Sequence, residues 1–183
     1  YAPTMLPVMD QTISLRIKNT FNPNCAGTII TAHPRKTQAL ITGISLMSDI
    51  SLLRLEGAGI VGNDNIIAQA FATLAASKVS AILITQALSE HSICIAVMPG
   101  VAERAKQALD TNFKPVMVER DKAIVAVVGE HMRNIPGIAD KVLSSLGQAG
   151  INVAAIAQGS SELNISVVVE KTDAATAVRS IHN

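Results

Sequence analysis

Aromatic residues are almost missing from this sequence, which has no Trp, one Tyr and three Phe among 183 residues. RNA-binding sheets read single strands by stacking bases on aromatic side chains. The formal net charge is only +1, so there is no basic surplus to attract nucleic acid or anionic lipid. The composition therefore predicts neither a nucleic-acid partner nor a membrane partner.

Membrane-spanning, secretory and metal-binding signals are also missing. No apolar run reaches the roughly 18 residues that a transmembrane helix needs, and no signal peptide is recognisable. Cys25 and Cys94 are widely separated, and no histidine has a second ligand at metal spacing. These absences predict a soluble, cytoplasmic chain without a bound metal. Because it begins at Tyr1 and not at Met, we also expect it to be a piece of a longer protein.

Aliphatic residues are plentiful, and they are arranged in an internal repeat. Hydrophobic residues make up 49% of the chain. Two segments match at an offset of 72 residues (158 − 86), which sets Gln86 against Gln158. The same offset pairs Gly57 with Gly129 without a gap. A register held over this length predicts two copies of one structural unit.

Each repeat is predicted to contain the same order of strands and helices. Branched residues mark the strands, and apolar residues at helical spacing mark the helices. In the first repeat we predict strand 50–55, helix 66–74, strand 79–85, strand 92–97, helix 101–109 and strand 115–119. In the second we predict strand 123–128, helix 138–146, strand 151–157, strand 164–169 and helix 173–181. The near-continuous apolar runs predict strands that are covered on at least one face and central in their sheets.

The second repeat lacks a fourth strand, because the chain ends at Asn183. A strand-like segment, Ala39–Leu46, has no partner at the front, and we expect it to complete the second sheet. The predicted fold class is therefore α+β, with two ferredoxin-like βαββαβ domains, the first inserted in the second. The predicted bounds are 48–121 for the first domain, and 39–47 plus 122–183 for the second.

A glycine-rich motif lies between the first strand and the first helix, with Gly57, Gly59 and Gly62 at the spacing of a dinucleotide-binding loop. The acidic residue expected after the next strand is missing, and no crossover helix separates the next two strands. The second repeat keeps only Gly129. A nicotinamide enzyme is therefore the weaker alternative to a tight loop whose amides, with the helix from Asn65, face a carboxylate ligand.

Gln86 and Gln158 are polar residues at matched positions of the two repeats, and each ends an apolar strand. A Gln amide donates and accepts at once, which suits the polar groups of an amino acid. An exposed amide without a function is the alternative. Glu90 and Glu162 follow at matched positions, and we expect them mainly to shape turns or edge pairs, with contact to a ligand as the alternative. No Walker A motif is present, and no Ser or Cys has a base at motif spacing, so we expect no catalysis by this chain.

Together these residues resemble the regulatory ACT pair of aspartate kinases. The segments 84–92 and 155–162 are close to that family's pattern, as is the glycine loop. Leu15–Pro23 and Gly27–Thr28 resemble the last strand and exit loop of the kinase catalytic domain, which would make 1–38 a remnant of that domain and its linker. The resemblance covers nearly the whole chain and is nearest to the threonine-sensitive aspartate kinase–homoserine dehydrogenase type.

The resemblance implies a regulatory role without chemistry of its own. In that family the kinase phosphorylates the aspartate β-carboxylate, with ATP and Mg²⁺ bound upstream, and the ACT pair binds an end-product amino acid and inhibits the kinase. The resemblance implies no cofactor in this fragment and at least a homodimer through the ACT sheets. A free-standing ACT regulator that binds an amino acid is the alternative, and a following homoserine dehydrogenase domain is left open.

The resemblance favours threonine over lysine as the effector. Threonine-sensitive relatives contact it with glutamines at the positions of Gln86 and Gln158, whereas lysine-sensitive relatives carry an Asp where this chain has Ile82. An ammonium group buried against Ile82 would be costly. The residues expected to bind the effector are Gly57, Gly59, Ile60, Gly62, Asn65, Ser80, Ile82, Ile84, Gln86, Gly129, Asn152, Ala154, Ile156 and Gln158.

Overall fold

A computed structural model describes residues 5–9, 11–31, 39–56, 65–87, 92–113 and 115–183. The chain forms two compact units, Tyr1–Gln38 and Ala39–Asn183. No helix within these described ranges is long and apolar enough to cross a lipid bilayer.

The N-terminal unit contains a short helix and a two-stranded hairpin. Its elements are α1 (Leu6–Met9), β1 (Leu15–Ile17) and β2 (Thr28–Ile30). The two strands pair antiparallel, and the Arg16 guanidinium donates a hydrogen bond of 3.0 Å to the Ala26 carbonyl. This bond ties the first strand to the connection that leads into the second.

The larger unit is built on one six-stranded antiparallel sheet. Its strands are β3 (Gly43–Glu56), β4 (Leu83–Ala87), β5 (Ser92–Val97), β6 (Val116–Val128), β7 (Ala155–Gln158) and β8 (Asn164–Glu170). Their order across the sheet is β4-β5-β3-β6-β8-β7. The expectation of central strands is therefore wrong for β4 and β7, which are edges. They are as apolar as central strands because Leu83 and Ala155 are buried in a core described below.

Four helices pack on one face of this sheet. They are α2 (Ile66–Ala76), α3 (Ala102–Leu109), α4 (Ile138–Gln148) and α5 (Ala174–His182). Apolar residues four apart are buried at matched positions of the repeat, namely Ile66, Ala70 and Leu74 in α2 and Ile138, Val142 and Leu146 in α4. This spacing places them on one side of each helix. The prediction of two ferredoxin-like units is confirmed.

Strands β3 and β6 each join two segments that the sequence predicts as separate strands. Gly43–Met47 pairs with Ile124–Val128, and Leu52–Leu55 pairs with Val116–Glu119. Between these halves the register shifts around Ile50, and Asp121 adopts a left-handed φ of 54°. A local irregularity of this kind bends a strand without ending its ladder. The polar residues at these points therefore mark bends and not strand ends.

Three apolar clusters result from the alternation of side chains along the strands. Leu53 and Leu55 pack with α2 and α3, and Val125 and Val127 pack with α4 and α5. A third cluster, here called the shared core, draws on both halves of the sheet: Ile50, Leu52, Leu83, Ala96, Ile124, Ala155 and Val168. The two repeats are thus joined by common strands and also by a common core.

Candidate functional site

Ile84 and Gln86 lie on the helix-facing side of the edge strand β4. Ile84 packs against the core beneath α2, and Gln86 follows two residues later on the same side of the strand. The Gln86 residue is exposed and pairs with Ile93. Ile82, which precedes the strand, is 36% exposed and donates its N–H to the Ala96 carbonyl at 2.8 Å. Three predicted site residues therefore share one sheet edge.

The glycine motif of the first repeat cannot be placed beside this edge. Gly57, Gly59, Ile60 and Gly62 lie outside the described residues. Asn65 immediately precedes α2, and its carbonyl accepts the Gln69 N–H at 2.9 Å. Both Asn65 and the predicted site residue Ser80 are exposed.

The matched residues of the second repeat lie on the opposite edge of the sheet. Ile156 is 43% exposed on β7, and Gln158, which pairs with Ile165, is exposed at the end of that strand. Asn152 is exposed, whereas Ala154 is half-buried and donates its N–H to the Val168 carbonyl at 2.8 Å. Most of the described site residues therefore lie on or beside the two edge strands, β4 and β7, which approach each other where Leu83 and Ala155 share one core.

Gly129 differs from the other described site residues because it is buried. It follows β6 with an extended φ of −168°, and its N–H donates to the Leu163 carbonyl at 2.9 Å. This amide is therefore engaged by the chain itself.

An exposed apolar surface, here called the α2 patch, flanks the β4 edge. It consists of Ile67, Phe71 and Ile84, of which Ile67 is 41% and Phe71 is 47% exposed. These residues line a cavity of about 10 Å³, which has room for no more than one water molecule. The second repeat has the smaller Ala139 and Leu143 at the positions of Ile67 and Phe71. The α2 patch is thus specific to the first repeat.

A polar cavity of about 240 Å³ lies on the other face of the sheet, where β3, β4 and β5 meet the start of β7. Its lining residues are Arg54, Glu56, Thr85, Ser92, Cys94, Ala154, Ala155 and Ile156. Only Ala154 and Ile156 of this set were predicted from the sequence. A signal for Arg54 existed, because it is a charged residue between two leucines, Leu53 and Leu55, in a predicted strand. Burial raises the pKa of the Cys94 thiol, which favours its neutral form.

Charged side chains on this face form a network across three strands. The Arg54 guanidinium lies 2.6 Å from the Glu119 carboxylate and 3.6 Å from that of Glu56. The Lys122 ammonium lies 3.0 Å from Glu119 and also contacts Glu170. Burial opposes the charge of Lys122, but the hydrogen bonds to Glu170 and Glu119 outweigh this and raise its pKa. The positive charge of Arg54 is already balanced by Glu119 and Glu56. The polar cavity therefore has no unpaired cation among its lining residues that could attract an anionic ligand.

No other part of the described structure resembles a catalytic or metal centre. Among the described residues no group of three or more His, Cys, Asp or Glu could hold a metal ion. A cavity of about 430 Å³ is lined by residues of α4 and of the C-terminal end of α5, together with Ile41, and contains none of the predicted site residues.

The arrangement of two βαββαβ units agrees with a match to the ACT-domain family over residues 53–113 and 125–183. The chain belongs to the ACT-domain family. Each matched range begins in a long strand and covers one set of two helices and two further strands. The two ACT units are therefore those that the repeat predicts.

Aspartate kinases are the relatives that this ACT chain matches. It is 37% identical over 188 residues to a bifunctional aspartokinase/homoserine dehydrogenase of Haemophilus influenzae, covering 98% of the chain but 23% of that relative. The aspartate kinase of Clostridium acetobutylicum matches with a TM-score of 0.84 and 29% identity, over 98% of this chain and 43% of that one. The predicted resemblance to aspartate kinases is confirmed, and the chain spans less than a quarter of the curated relative.

A regulatory subunit matches the ACT units specifically. The regulatory subunit of aspartate kinase from Thermus thermophilus, in its ligand-free form, has a TM-score of 0.69 and 25% identity. The match covers 79% of this chain and 97% of that subunit. The ACT pair therefore corresponds to a regulatory region and not to a catalytic domain.

Proposed function

We propose that this ACT pair is the amino-acid sensor of an aspartate kinase and that threonine is its effector. The observation that carries the proposal is the placement of Gln86, an exposed amide at the end of an edge strand, beside the half-buried Ile84. An amide can bind the hydroxyl of threonine or its amino and carboxylate groups, while the aliphatic neighbour accommodates the methyl group. The glycine loop that would complete this site stays a prediction.

Lysine is the alternative effector, and Ile82 argues against it. Its backbone N–H is used by Ala96, and its side chain is aliphatic. An ammonium group placed here would lose water without gaining a charged partner. We therefore favour threonine, and an inhibition assay with both amino acids decides between them.

In the proposed mechanism, the effector inhibits the kinase by binding its inactive arrangement more tightly than its active one. Phosphoryl transfer from ATP to aspartate, with Mg²⁺, belongs to a catalytic domain upstream. We assign residues 1–38 to the end of that domain and its linker. The segment between Thr20 and Ile41 would carry the change from the ACT pair to the kinase.

We further propose that the ACT pair works as a dimer. The sheet has two edges, and edge strands of this kind bury their unpaired groups by pairing with another chain. The α2 patch beside β4 adds exposed apolar surface at one of these edges. Two copies of the chain would bury this exposed surface by meeting at the first unit, which favours a homodimer formed there.

The domain bounds follow the pairing of the two long strands. We propose 48–121 as the first ACT unit, inserted into a second unit made of 39–47 and 122–183. The antiparallel pairing of Gly43–Met47 with Ile124–Val128 supports this division, because it gives the second unit the fourth strand that its own repeat lacks.

The experiment that tests the function is an inhibition assay on the full-length protein. Kinase activity with aspartate and ATP is measured against rising threonine, lysine and methionine, separately. We expect threonine to inhibit and lysine to have little effect. Inhibition by lysine alone would contradict the effector assignment, and the absence of aspartate kinase activity would contradict the function itself.

A further inference from the structure

The polar cavity is lined by charged residues that the second ACT unit does not have at the matching positions. Arg54 and Glu56 lie on β3 and point into this cavity of about 240 Å³. At the repeat offset of 72 residues, β6 has Ala126 and Val128 in their places. Both segments form the same strand of their unit, so the βαββαβ fold does not require charges here. The charged lining of the first unit therefore calls for another explanation.

Glu56 is the less closely paired of these two charged residues. Among the described residues Arg54 is its one ion-pair partner, and the 3.6 Å between their charged groups is longer than a hydrogen bond. The Arg54 guanidinium is held more closely by Glu119, at 2.6 Å. The network contains two cations, Arg54 and Lys122, but three carboxylates, since Glu170 also belongs to it. The cavity therefore attracts a cation more strongly than an anion.

The Ser92 hydroxyl is a polar group without a protein partner in the lining of this cavity. Ser92 is only 6% exposed, and within the described ranges its hydroxyl has no hydrogen-bond partner. It pairs with Glu56 across β3 and β5, which places the hydroxyl and the carboxylate side by side on one face of the sheet. Thr85 adds a second hydroxyl from β4. Because buried polar groups are normally hydrogen-bonded, this arrangement predicts an occupant that binds to Ser92.

The size of the cavity and its apolar lining limit the kind of ligand. Ala154, Ala155 and Ile156 provide a small aliphatic surface. The volume is below the roughly 300–1,000 Å³ of pockets for drug-sized ligands, so the ligand must be small. A primary ammonium group carries a positive charge and three N–H donors, which suits a carboxylate beside a hydroxyl. A short aliphatic chain attached to it would contact the apolar lining.

We propose that the polar cavity binds a small primary aliphatic amine, whose ammonium group donates to the Glu56 carboxylate and to the Ser92 hydroxyl. This site lies on the opposite face of the sheet from Gln86, because Thr85 and Gln86 are adjacent on one strand. A carboxylate on the same ligand would find no free cation in the lining, so an amine binds better than an amino acid. The proposal goes beyond the proposed function and does not depend on which amino acid is the effector.

An NMR titration of the chain with cadaverine, a five-carbon diamine, tests the site. We expect saturable shifts of the Thr85, Ser92 and Cys94 amides. Pentanol and glutarate have the same number of carbons without an ammonium group and should give no saturable shifts. Lysine, which is cadaverine with an added carboxylate, should bind more weakly. Shifts that do not saturate, or binding of pentanol as tight as that of cadaverine, would overturn the proposal and leave a cavity filled by water. Tighter binding of lysine would overturn the preference for an amine.

Three variants and a matched control test the contacting groups. Glu56→Gln keeps the shape of the side chain, removes its charge and should weaken cadaverine binding about fivefold. Ser92→Ala should weaken it about threefold, since a hydrogen bond is lost. Glu103→Gln removes the same charge from an exposed residue of α3 and should leave the affinity unchanged.

Equal affinity in wild type and Glu56→Gln would overturn the proposal. Gln86→Ala should bind cadaverine like the wild type, and a loss of binding there would place the amine on the helix-facing side instead. No threonine is used in this titration, so a failure of threonine to inhibit the kinase would contradict the proposed function and leave the amine site standing.

Discussion

Gln86 and Gln158 lie at the ends of the two opposite edge strands of one sheet, β4 and β7. Each pairs with an isoleucine of the adjacent strand, Ile93 or Ile165, and each is exposed. The repeat makes the two positions equivalent along the chain, but their surroundings differ. The α2 patch flanks Gln86, whereas in the second repeat the Glu162 carboxylate accepts the Asn134 N–H at 2.7 Å.

Removal of the Gln86 amide is expected to weaken threonine binding. Gln86→Ala leaves polar groups of the ligand unpaired, which costs roughly 1–3 kcal/mol or about 5- to 150-fold in affinity. The inhibition curve of the full-length kinase should shift to higher threonine by that factor, with uninhibited activity unchanged. Gln107→Ala, at an exposed position of α3, is the matched control. Superimposed curves for wild type and Gln86→Ala would exclude the residue from the site.

A charge placed in the α2 patch is expected to dissociate the dimer. Phe71 is 47% exposed in the single chain, so Phe71→Glu should fold but should not bury its carboxylate in an interface. Sedimentation velocity at about 10 μM should show a dimer for wild type and a monomer for the variant. Ala72→Glu adds the same charge at the adjacent, exposed position and should stay dimeric. A monomeric wild type at high micromolar concentration would refute the assembly.

Loss of the Lys122 ammonium is expected to destabilise the fold. Lys122→Met leaves the carboxylates of Glu119 and Glu170 without their shared cation. The expected cost is about 1–3 kcal/mol, less than for a fully buried pair because the Glu170 side chain is 46% exposed. Urea denaturation measures it. Lys171→Met removes an exposed pair with Asp49 and should change the free energy of unfolding little. If Lys122→Met and Lys171→Met lowered the free energy of unfolding equally, the half-buried network would contribute no more than the exposed pair, against this prediction.

The same lysine predicts how stability depends on pH. Its pKa is raised in the folded state by Glu170 and Glu119, against the opposing effect of burial. Because the pKa of Lys122 is higher in the folded than in the unfolded state, its charge stabilises the fold fully at a pH below the unfolded pKa of about 10.4. This stabilisation is lost as the pH rises through the pKa of the folded state. Wild type should therefore lose stability more steeply than Lys122→Met above that pH. If the free energy of unfolding fell equally with rising pH in wild type and in Lys122→Met, Lys122 would not be the cause of the alkaline loss of stability.

The close approach of Leu40 to Gly129 predicts that replacing Gly129 and replacing Gly147 by alanine have opposite effects on stability. Gly129→Ala places a Cβ atom 2.0 Å from the Leu40 carbonyl, so the backbone at Leu40 must move, at an expected cost of about 1–3 kcal/mol. Gly147→Ala adds a Cβ in α4 with no atom within 4 Å and should stabilise the helix by about 0.5–1 kcal/mol. Thermal denaturation compares the two, and a neutral Gly129→Ala would mean that Leu40 is not held against Gly129.

The repeat, the order of strands and helices, and the recurring glutamines can all be predicted from the amino-acid sequence. These features depend on local periodicity and on matching residues, such as Ile66, Ala70 and Leu74 against Ile138, Val142 and Leu146, which bury the same side of α2 and α4. The sequence predicts separate strands at 115–119 and 123–128, which the structure joins in β6. Local propensity cannot tell a bend within a ladder from the end of a strand.

The way in which the two repeats are joined depends on long-range packing that the sequence pattern does not contain. The merging of predicted strands into β3 and β6 depends on pairing between residues about 80 positions apart, such as Gly43 and Val128. The shared core and the cavity beside Arg54 arise from the same long-range packing. The reason for glycine at position 129 is also non-local, because the Leu40 carbonyl that excludes a side chain comes from a distant segment of the chain.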